Sequence, residues 1–182
     1  MGSPPADRSF FLRRVRIRNY KSLGNADVEL GRLTVLIGRN GSGKSNFLDA
    51  LYFVADALRT SLDHALKSRG GIESVRRRSS GQAQSFAIVL DVLLPGSQIA
   101  EYGLEVAARQ RGGFSIRRES LRIESEGGAV VGSYEIRSGT LVSASADNMP
   151  RVFRTVSTLS RPPASHSSEG FTISSSQWGS TI

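Results

Sequence analysis

Residues 38–45 read Gly-Arg-Asn-Gly-Ser-Gly-Lys-Ser and match the pattern G-x-x-x-x-G-K-[ST] at every required position. The glycines at positions 38, 41 and 43 permit backbone conformations that other residues avoid, so successive N–H groups can point toward a polyphosphate. A helix after the loop would add unpaired N–H groups and the positive end of its dipole. The octapeptide therefore predicts a phosphate-binding loop. The alternative is a glycine-rich turn that carries a solvated lysine.

The last two residues of the loop have separate predicted roles. Lys44 is expected to reach the β- and γ-phosphates of a nucleotide, and the hydroxyl of Ser45 is expected to coordinate Mg²⁺. No other residue is predicted as a metal ligand from the loop pattern. The predicted nucleotide-binding residues are Gly38, Arg39, Asn40, Gly41, Ser42, Gly43, Lys44 and Ser45.

Apolar patterns on both sides of the loop predict the order strand, loop, helix. Residues 33–37 (Leu-Thr-Val-Leu-Ile) are a nearly continuous apolar run, which is typical of a strand covered on both faces. After the loop, apolar residues recur every three or four positions, as on one face of a helix. We expect one long helix from about residue 44 to about residue 66, ending before two successive glycines. Its apolar face contains Phe47, Leu51, Val54, Leu58 and Leu62.

Most of the remaining sequence up to about residue 140 has the residue pattern of β-strands. Residues 11–19 alternate between arginines on one face and Val15 and Ile17 on the other, and residues 26–30 alternate again, so a hairpin is predicted. Further along, short apolar and β-branched runs end at turn residues. The strands predicted there are residues 85–94, 101–108, 113–116, 120–125 and 129–136.

These elements predict an α/β fold. We expect a lobe in which a central sheet carries the loop and packs against the long helix, together with an antiparallel β-subdomain at residues 80–140. The lobe is expected to span residues 10–142 after a flexible N-terminus at residues 1–9. Residues 143–182 are rich in serine and lack periodicity, so a disordered tail or a truncated chain is expected there.

Composition excludes several kinds of site and leaves one kind of partner open. The chain has no cysteine, which excludes disulfides, thiolate zinc sites and cysteine nucleophiles. It has no apolar run of membrane-spanning length and no signal-peptide pattern, so a cytoplasmic protein is expected. The net charge is +8, and basic residues cluster at residues 8–21 and 67–78. DNA is therefore a candidate partner, with a solvated strand face and loop as the alternative.

The sequence around the loop resembles the N-terminal ATPase lobe of the SMC, RecF and RecN group, within the ABC-type class of P-loop ATPases. The resemblance is strong over residues 10–60 and only general over residues 80–136. The resemblance implies ATP and Mg²⁺ as cofactors, and a second ATPase head or a missing C-terminal lobe as the partner, in work on DNA. It is carried by Ile-Arg-Asn-Tyr-Lys-Ser at 17–22, Leu-Ile-Gly-Arg-Asn-Gly-Ser-Gly-Lys-Ser-Asn at 36–46 and Phe-Leu-Asp-Ala-Leu at 47–51.

The resemblance also implies roles for individual residues. Asn40 would line the γ-phosphate side of the site, Lys44 would contact the phosphates, and Ser45 would bind magnesium. Arg18 or Lys21 would lie near the nucleotide or one of its phosphates. For these last two, an exposed strand end is the alternative.

Hydrolysis in this group needs further residues, which the sequence supplies poorly. Residues 79–82 (Ser-Ser-Gly-Gln) are similar to the signature loop, and residues 86–91 end in Asp91, the candidate for the catalytic metal carboxylate. The two strings are too close together for the helix that separates them in the group, and Val92 stands where a glutamate is expected. A loop and an ordinary strand end are the alternatives. Candidate sensor glutamines are Gln82, Gln84 and Gln98.

We predict an ATP-binding domain of an SMC/RecF-like ATPase, which hydrolyses ATP in the complete protein or dimer. The expected process is DNA repair, recombination, chromosome maintenance or defence. The alternative is a truncated lobe that binds nucleotide or a partner head without hydrolysis. A P-loop kinase or GTPase is a third candidate, but the sequence contains neither an N-K-x-D element nor a recognisable phosphoacceptor lid.

Overall fold

The computed structural model describes residues 10–77 and 85–145, which form seven strands and three helices. None of these helices is long and apolar enough to cross a membrane. In chain order the elements are β1 (Phe11–Tyr20), β2 (Leu23–Glu29), α1 (Lys44–Arg59), α2 (Leu62–Lys67), α3 (Ile72–Val75), β3 (Ser85–Leu94), β4 (Gln98–Ala108), β5 (Phe114–Glu124), β6 (Val130–Arg137) and β7 (Thr140–Ser145).

The seven described strands form one sheet in the order β2-β1-β3-β4-β5-β6-β7, and each neighbouring pair is antiparallel. β1 and β2 are joined by a tight turn at residues 20–23, the β1–β2 turn. The loop and the three helices lie between β2 and β3 in the chain, while β3 pairs with the free edge of β1. The α/β class, the helix after the loop and the antiparallel strands are confirmed, and the predicted subdomain strands are continuous with the N-terminal hairpin.

The helices cover one face of the sheet, and the core lies between them. Val15 and Ile17 point to this face and are fully buried, as the alternation in β1 predicts. The ring of Phe53 in α1 lies 5.9 Å from that of Tyr20 and 5.4 Å from that of Phe86, measured between centroids. Burying an apolar side chain of this size stabilises the fold by about 1.5–3 kcal/mol. These contacts fix α1 on the part of the sheet where β1 ends.

The opposite face of the sheet is polar, and arginines on it are paired with carboxylates of nearby strands. Arg14 makes two hydrogen bonds to Asp27, each 2.7 Å long. Arg16 reaches Asp91 at 2.8 Å and Glu101 at 2.6 Å. Cross-strand pairs of opposite charge stabilise a sheet. Part of the positive charge that clusters near the N-terminus is therefore neutralised within the sheet itself.

The helix after the loop is shorter than predicted, because α1 ends at Arg59 and α2 follows as a separate helix. Thr60 departs from helical dihedral angles, with φ −124° and ψ −86°. Ser61 is extended, and its hydroxyl accepts a hydrogen bond from the N–H of His64 at 3.1 Å. A serine in this geometry is a favourable N-cap. The prediction of one helix to about residue 66 is therefore wrong at its C-terminal end. The break was not predicted because the apolar spacing continues through it.

The predicted strand at residues 33–37 is not present in the structure. Leu33, Val35 and Ile37 are 85%, 68% and 90% exposed. Within the described part of the chain, no backbone–backbone hydrogen bond involves these residues. A strand needs a neighbouring strand to satisfy its backbone groups, and β1 is already paired on both edges. Leu36 packs partly against the core, but most of the apolar run lies on the surface without the cover that its composition predicts.

The later β-strands differ from prediction in two places. Residues 113–116 and 120–125 fall largely in one strand, β5, whose register with β4 shifts between Glu105 and Val106. Such a bulge accommodates an extra residue without ending the strand. β7 extends to Ser145 and so enters the segment predicted as a tail. The predicted flexible N-terminus at residues 1–9 and the rest of the tail, residues 146–182, lie outside the described residues.

Candidate nucleotide-binding site

The backbone between residue 38 and α1 is an irregular loop with sharp bends. Gly41 and Gly43 have φ of 83° and 95°, in the left-handed region that glycine adopts without steric cost. The N–H of Ser42 donates to the carbonyl of Arg39 at 3.2 Å and closes a turn. α1 starts immediately after the second bend. The loop therefore has the glycine-dependent bends that a phosphate-binding sequence requires.

Lys44 folds back into the loop that precedes it. Its Nζ donates to the carbonyl of Gly38 at 2.6 Å, to the carbonyl of Arg39 at 2.9 Å and to the hydroxyl of Ser42 at 3.3 Å. The ammonium group is thus held by neutral oxygens and has no carboxylate partner among the described residues. Hydrogen bonds between ionised groups are stronger than those to neutral acceptors. An incoming phosphate would therefore compete well for this lysine.

The N-terminus of α1 is open to an anion. Gly43 is its N-cap and supplies no side chain, and no acidic residue occupies the first turn. The first N–H groups of a helix lack internal partners and sit at the positive end of the dipole. Ser45 and the loop residues Arg39 and Asn40 are exposed. The loop and helix together are chemically suited to a phosphate group.

The β1–β2 turn packs along α1, next to the loop. Asn46 Nδ2 donates to the hydroxyl of Ser22 at 2.6 Å. Asp49 Oδ2 lies 2.6 Å from Lys21 Nζ and accepts a hydrogen bond from the hydroxyl of Tyr20 at 2.7 Å. The Tyr-Lys-Ser string that carries the resemblance therefore binds the side of α1.

Asp49 is the centre of a polar cluster that sequence reasoning did not single out as a site. Its second oxygen accepts from Arg69 Nε at 3.1 Å, and Arg69 also binds Asp56 at 2.8 Å. Burial alone would raise the pKa of Asp49. Hydrogen bonds from Lys21 and Tyr20, with the charges of Lys21 and Arg69, outweigh burial, so the pKa lies below its ordinary value. One feature of the sequence could have indicated this cluster. Asp49 stands three positions after Asn46 and so lies on the same side of a helix.

Neither Arg18 nor Lys21 is placed against the loop. Lys21 is paired with Asp49, on the side of α1. Arg18 follows Arg16 by two positions in β1, so it projects from the polar face of the sheet, opposite the helices. There it lines a cavity of about 260 Å³ with Arg16, Asn25, Asp27, Ala87 and Val89.

The structure does not bring the candidate catalytic residues to the loop. Asp91 pairs with Arg16 on the polar face of the sheet, whereas α1 packs on the other face. Gln98 lies at the β3–β4 hairpin, near the Phe11 end of β1, while the loop lies near the Tyr20 end. Residues 79–82, with Gln82, and Gln84 lie outside the described residues. Residues 10–77 and 85–145 contain no cluster of three or more metal-binding side chains.

The family match places this α/β chain, whose glycine-rich loop runs into a helix and encloses a lysine, in the class of AAA-type domains. The family model that matches is AAA_21, described as "AAA domain, putative AbiEii toxin, Type IV TA system", over residues 33–135. This match covers more than half of the chain, and the chain belongs to this family. The match starts at the exposed apolar run and includes the loop, the helices and most of the sheet.

Similar curated proteins are bacterial proteins named DNA replication and repair protein RecF. The RecF of Trichlorobacter lovleyi is 46% identical over 48 residues, 26% of this chain and 13% of that protein. Those of Phocaeicola vulgatus and Streptococcus uberis are 44% and 41% identical over 45 and 46 residues. The chain thus matches about an eighth of the length of these relatives. With the family match, they confirm the assignment to an SMC/RecF-like ATPase lobe.

A solved structure that aligns with part of this chain comes from work on "ATP-driven dimerization and DNA stimulated activation of SMC ATPases". The TM-score is 0.42 at 20% sequence identity, and the match covers 63% of this chain and 70% of the other.

Proposed function

We propose that residues 10–145 are the Mg-ATP-binding lobe of a RecF- and SMC-like ATPase. The observation that carries this proposal is the side chain of Lys44, which starts α1 and folds back into a glycine-bent loop at a helix N-terminus without a side-chain cap. A lysine, backbone N–H groups and a helix dipole that converge on one point form a binding site for a polyphosphate. The proposed function includes work in the cytoplasm, where ATP is available.

Each loop residue has a role in this proposal. Lys44 exchanges the carbonyls of Gly38 and Arg39 for the β- and γ-phosphates. The hydroxyl of Ser45, at the start of α1, is the magnesium ligand that the loop supplies, and Asn40 faces the γ-phosphate. Bound magnesium would neutralise charge on the phosphates. The remaining ligands of the ion would be phosphate oxygens, water and groups from another part of the assembly.

Hydrolysis is proposed for the assembled protein rather than for this lobe alone. Attack of water on the γ-phosphate needs a positioned base or water-orienting group, and Asp91 is held on the far face of the sheet by Arg16. The missing groups would come from a second head or from a C-terminal lobe. The RecF relatives are several times longer than the segment they share with this chain.

The surface next to the loop supports such a partner. Leu33, Val35 and Ile37 are exposed, and so are Leu48 and Tyr52, one helical turn apart on α1. Large apolar patches are seldom exposed to solvent on proteins that function as monomers. We propose that the second lobe or head covers them and supplies a strand for residues 33–37.

DNA is proposed as a partner of the assembly. The RecF relatives are named for DNA replication and repair, which supports a role on DNA for the complete protein. Arginines in both basic clusters of this chain are engaged by carboxylates, as with Arg14 on Asp27 and Arg69 on Asp49 and Asp56. Salt-dependent DNA binding should therefore be weak in the isolated chain and strong in the assembly.

Nucleotide binding is tested by calorimetric titration of the chain with Mg-ATP. The variant Lys44→Ala should lose binding, whereas Lys67→Ala should keep it. Lys67 is a matched control because its ammonium pairs with Asp63 on the exposed surface of α2. Equal affinity of Lys44→Ala and the unmodified chain would refute the proposed site. Competition with GTP in the same assay tests the GTPase alternative.

A second candidate is a lobe that binds nucleotide or a partner head without hydrolysing ATP. The separation of Asp91 from the loop favours it for the chain in isolation. Steady-state release of phosphate separates the two candidates. Turnover by the chain alone that disappears in Lys44→Ala would exclude the non-hydrolysing lobe.

A further inference from the structure

The end of β1 has an unusual backbone. Asn19 and Lys21, on either side of Tyr20, have φ of 54° and 47°. Non-glycine residues are strained in this region and persist where the surrounding structure holds them. From one side the bend is held by α3 and the residues after it. The N–H of Lys21 donates to the carbonyl of Val75 at 2.6 Å, and the N–H of Arg77 donates to that of Asn19 at 2.7 Å.

From the other side, α1 holds the same bend through three of its positions. Gly43, Asn46 and Asp49 are three residues apart and lie along one side of the helix. Their partners follow in reverse order along the β1–β2 turn: Leu23 at Gly43, Ser22 at Asn46, and Lys21 with Tyr20 at Asp49. The turn and the first part of α1 therefore form one packed unit.

Asp49 adds a third element to this unit. Arg69, between α2 and α3, binds the carboxylate oxygen that Lys21 and Tyr20 leave free, and its side chain is only 10% exposed. The guanidinium also lies 5.4 Å from the ring of Phe53. A partly buried carboxylate with three charged or hydroxyl donors holds its neighbours in place more firmly than an exposed pair would.

We propose that Asp49 is a positioning residue for the phosphate-binding loop. It sets the direction of α1, and so the direction in which Lys44 and the helix N–H groups face the nucleotide. This inference rests on the nucleotide-binding role proposed above. Residues 33–37 have no backbone–backbone hydrogen bonds among the described residues and only Leu36 of them packs against the core, so α1 is the firmer attachment of the loop. A displacement of α1 would move the phosphate-binding groups with it.

The test compares Asp49→Asn with Asp56→Asn. Both substitutions neutralise a carboxylate of α1 that binds Arg69, and only Asp49 also holds Lys21 and Tyr20. Asp49→Asn should weaken Mg-ATP binding about tenfold, as loss of a group that orients a binding residue typically does, while Asp56→Asn leaves the affinity unchanged. Equal affinities for the two folded variants would overturn the proposal.

Amide hydrogen exchange without nucleotide separates this inference from the proposed function. Asp49→Asn should speed exchange over residues 41–48 more than Asp56→Asn does, and equal exchange there would contradict the positioning role. If the unmodified chain does not bind Mg-ATP and the exchange difference persists, the positioning stands and the proposed function fails. Lys21→Met removes one donor at a partly exposed position. If Asp49→Asn does not fold, Lys21→Met replaces it in the test and should also speed exchange over residues 41–48.

Discussion

Leu23 occupies the space that a side chain at Gly43 would need. A Cβ atom built on Gly43 would lie 2.7 Å from Leu23 Cδ2, closer than such atoms approach in proteins. The backbone of Gly43 also has φ of 95°. Glycine is therefore required here both for the bend that starts α1 and for the contact with the β1–β2 turn.

Gly43→Ala should destabilise the chain more than Gly41→Ala. Both positions have positive φ, so each substitution introduces backbone strain of about 1–2 kcal/mol. A Cβ atom at Gly41 would meet nothing within 4 Å, whereas one at Gly43 would displace Leu23. Urea unfolding measures the two free energies. In a Leu23→Ala background the difference between the two variants should shrink, and an unchanged difference would show that Leu23 is not its cause.

The exposed apolar run should contribute little to the stability of the isolated chain. Ile37→Ser removes an apolar side chain that is already in water, so the free energy of unfolding should change by no more than about 0.5 kcal/mol. Ile17→Ala, in the buried face of β1, should cost about 2–5 kcal/mol. A large loss for Ile37→Ser would mean that Ile37 is packed within the chain. Self-association, measured by sedimentation, should decrease in Ile37→Ser.

Local patterns account for the parts of the molecule that were predicted well. The alternation of Val15 and Ile17 with arginines predicts that one face of β1 is buried. Both side chains are fully buried in the structure. The glycine positions of the loop follow from backbone sterics alone. The order loop, helix and antiparallel strands could be predicted for the same reason.

The remaining features depend on contacts between distant parts of the chain. Residues 33–37 have the composition of a buried strand, but whether a strand forms depends on a neighbour, which the described residues do not supply. Asp49 pairs with Lys21 and with Arg69, which are distant from it in the sequence. The spacing of residues in the sequence does not indicate which cations will contact a given carboxylate. Residues 86–91 were a candidate for the strand that supplies the catalytic carboxylate. In the structure Asp91 forms a cross-strand ion pair with Arg16 on the polar face of the sheet.

Ser61→Ala should destabilise α2 without affecting the loop. The substitution removes the hydroxyl that accepts from the N–H of His64, and loss of such an N-cap typically costs about 0.5–2 kcal/mol. Ser74→Ala is the comparison, because the hydroxyl of Ser74 binds a carbonyl of the preceding turn and caps no helix start. Thermal unfolding followed by circular dichroism measures both. Equal effects of the two substitutions would argue against Ser61 as the start of a separate helix.

Tyr134→Phe should destabilise the sheet through Glu119. The hydroxyl of Tyr134 donates to the carboxyl group of Glu119 at 3.1 Å, and Glu119 is fully buried on the core side. Removing one hydrogen-bond partner of a buried polar group costs about 1–3 kcal/mol. Tyr52→Phe is the matched control, since Tyr52 is exposed on α1, and it should leave the free energy of unfolding unchanged. Similar values for the two variants would contradict a stabilising role for this bond.

Asp49 should make the stability of the chain depend on pH in the acid range. Its pKa in the folded chain lies below the ordinary value of 3.8 because its hydrogen bonds and cationic neighbours outweigh burial. The charged form is thus favoured by folding, so its contribution is fully present above the unfolded pKa and is lost as pH falls through the folded pKa. Urea unfolding of the unmodified chain and of Asp49→Asn should therefore differ most near neutral pH. The difference should narrow below about pH 4 as the carboxylate is protonated, and a constant difference down to about pH 2 would mean that the charge of Asp49 does not stabilise the fold.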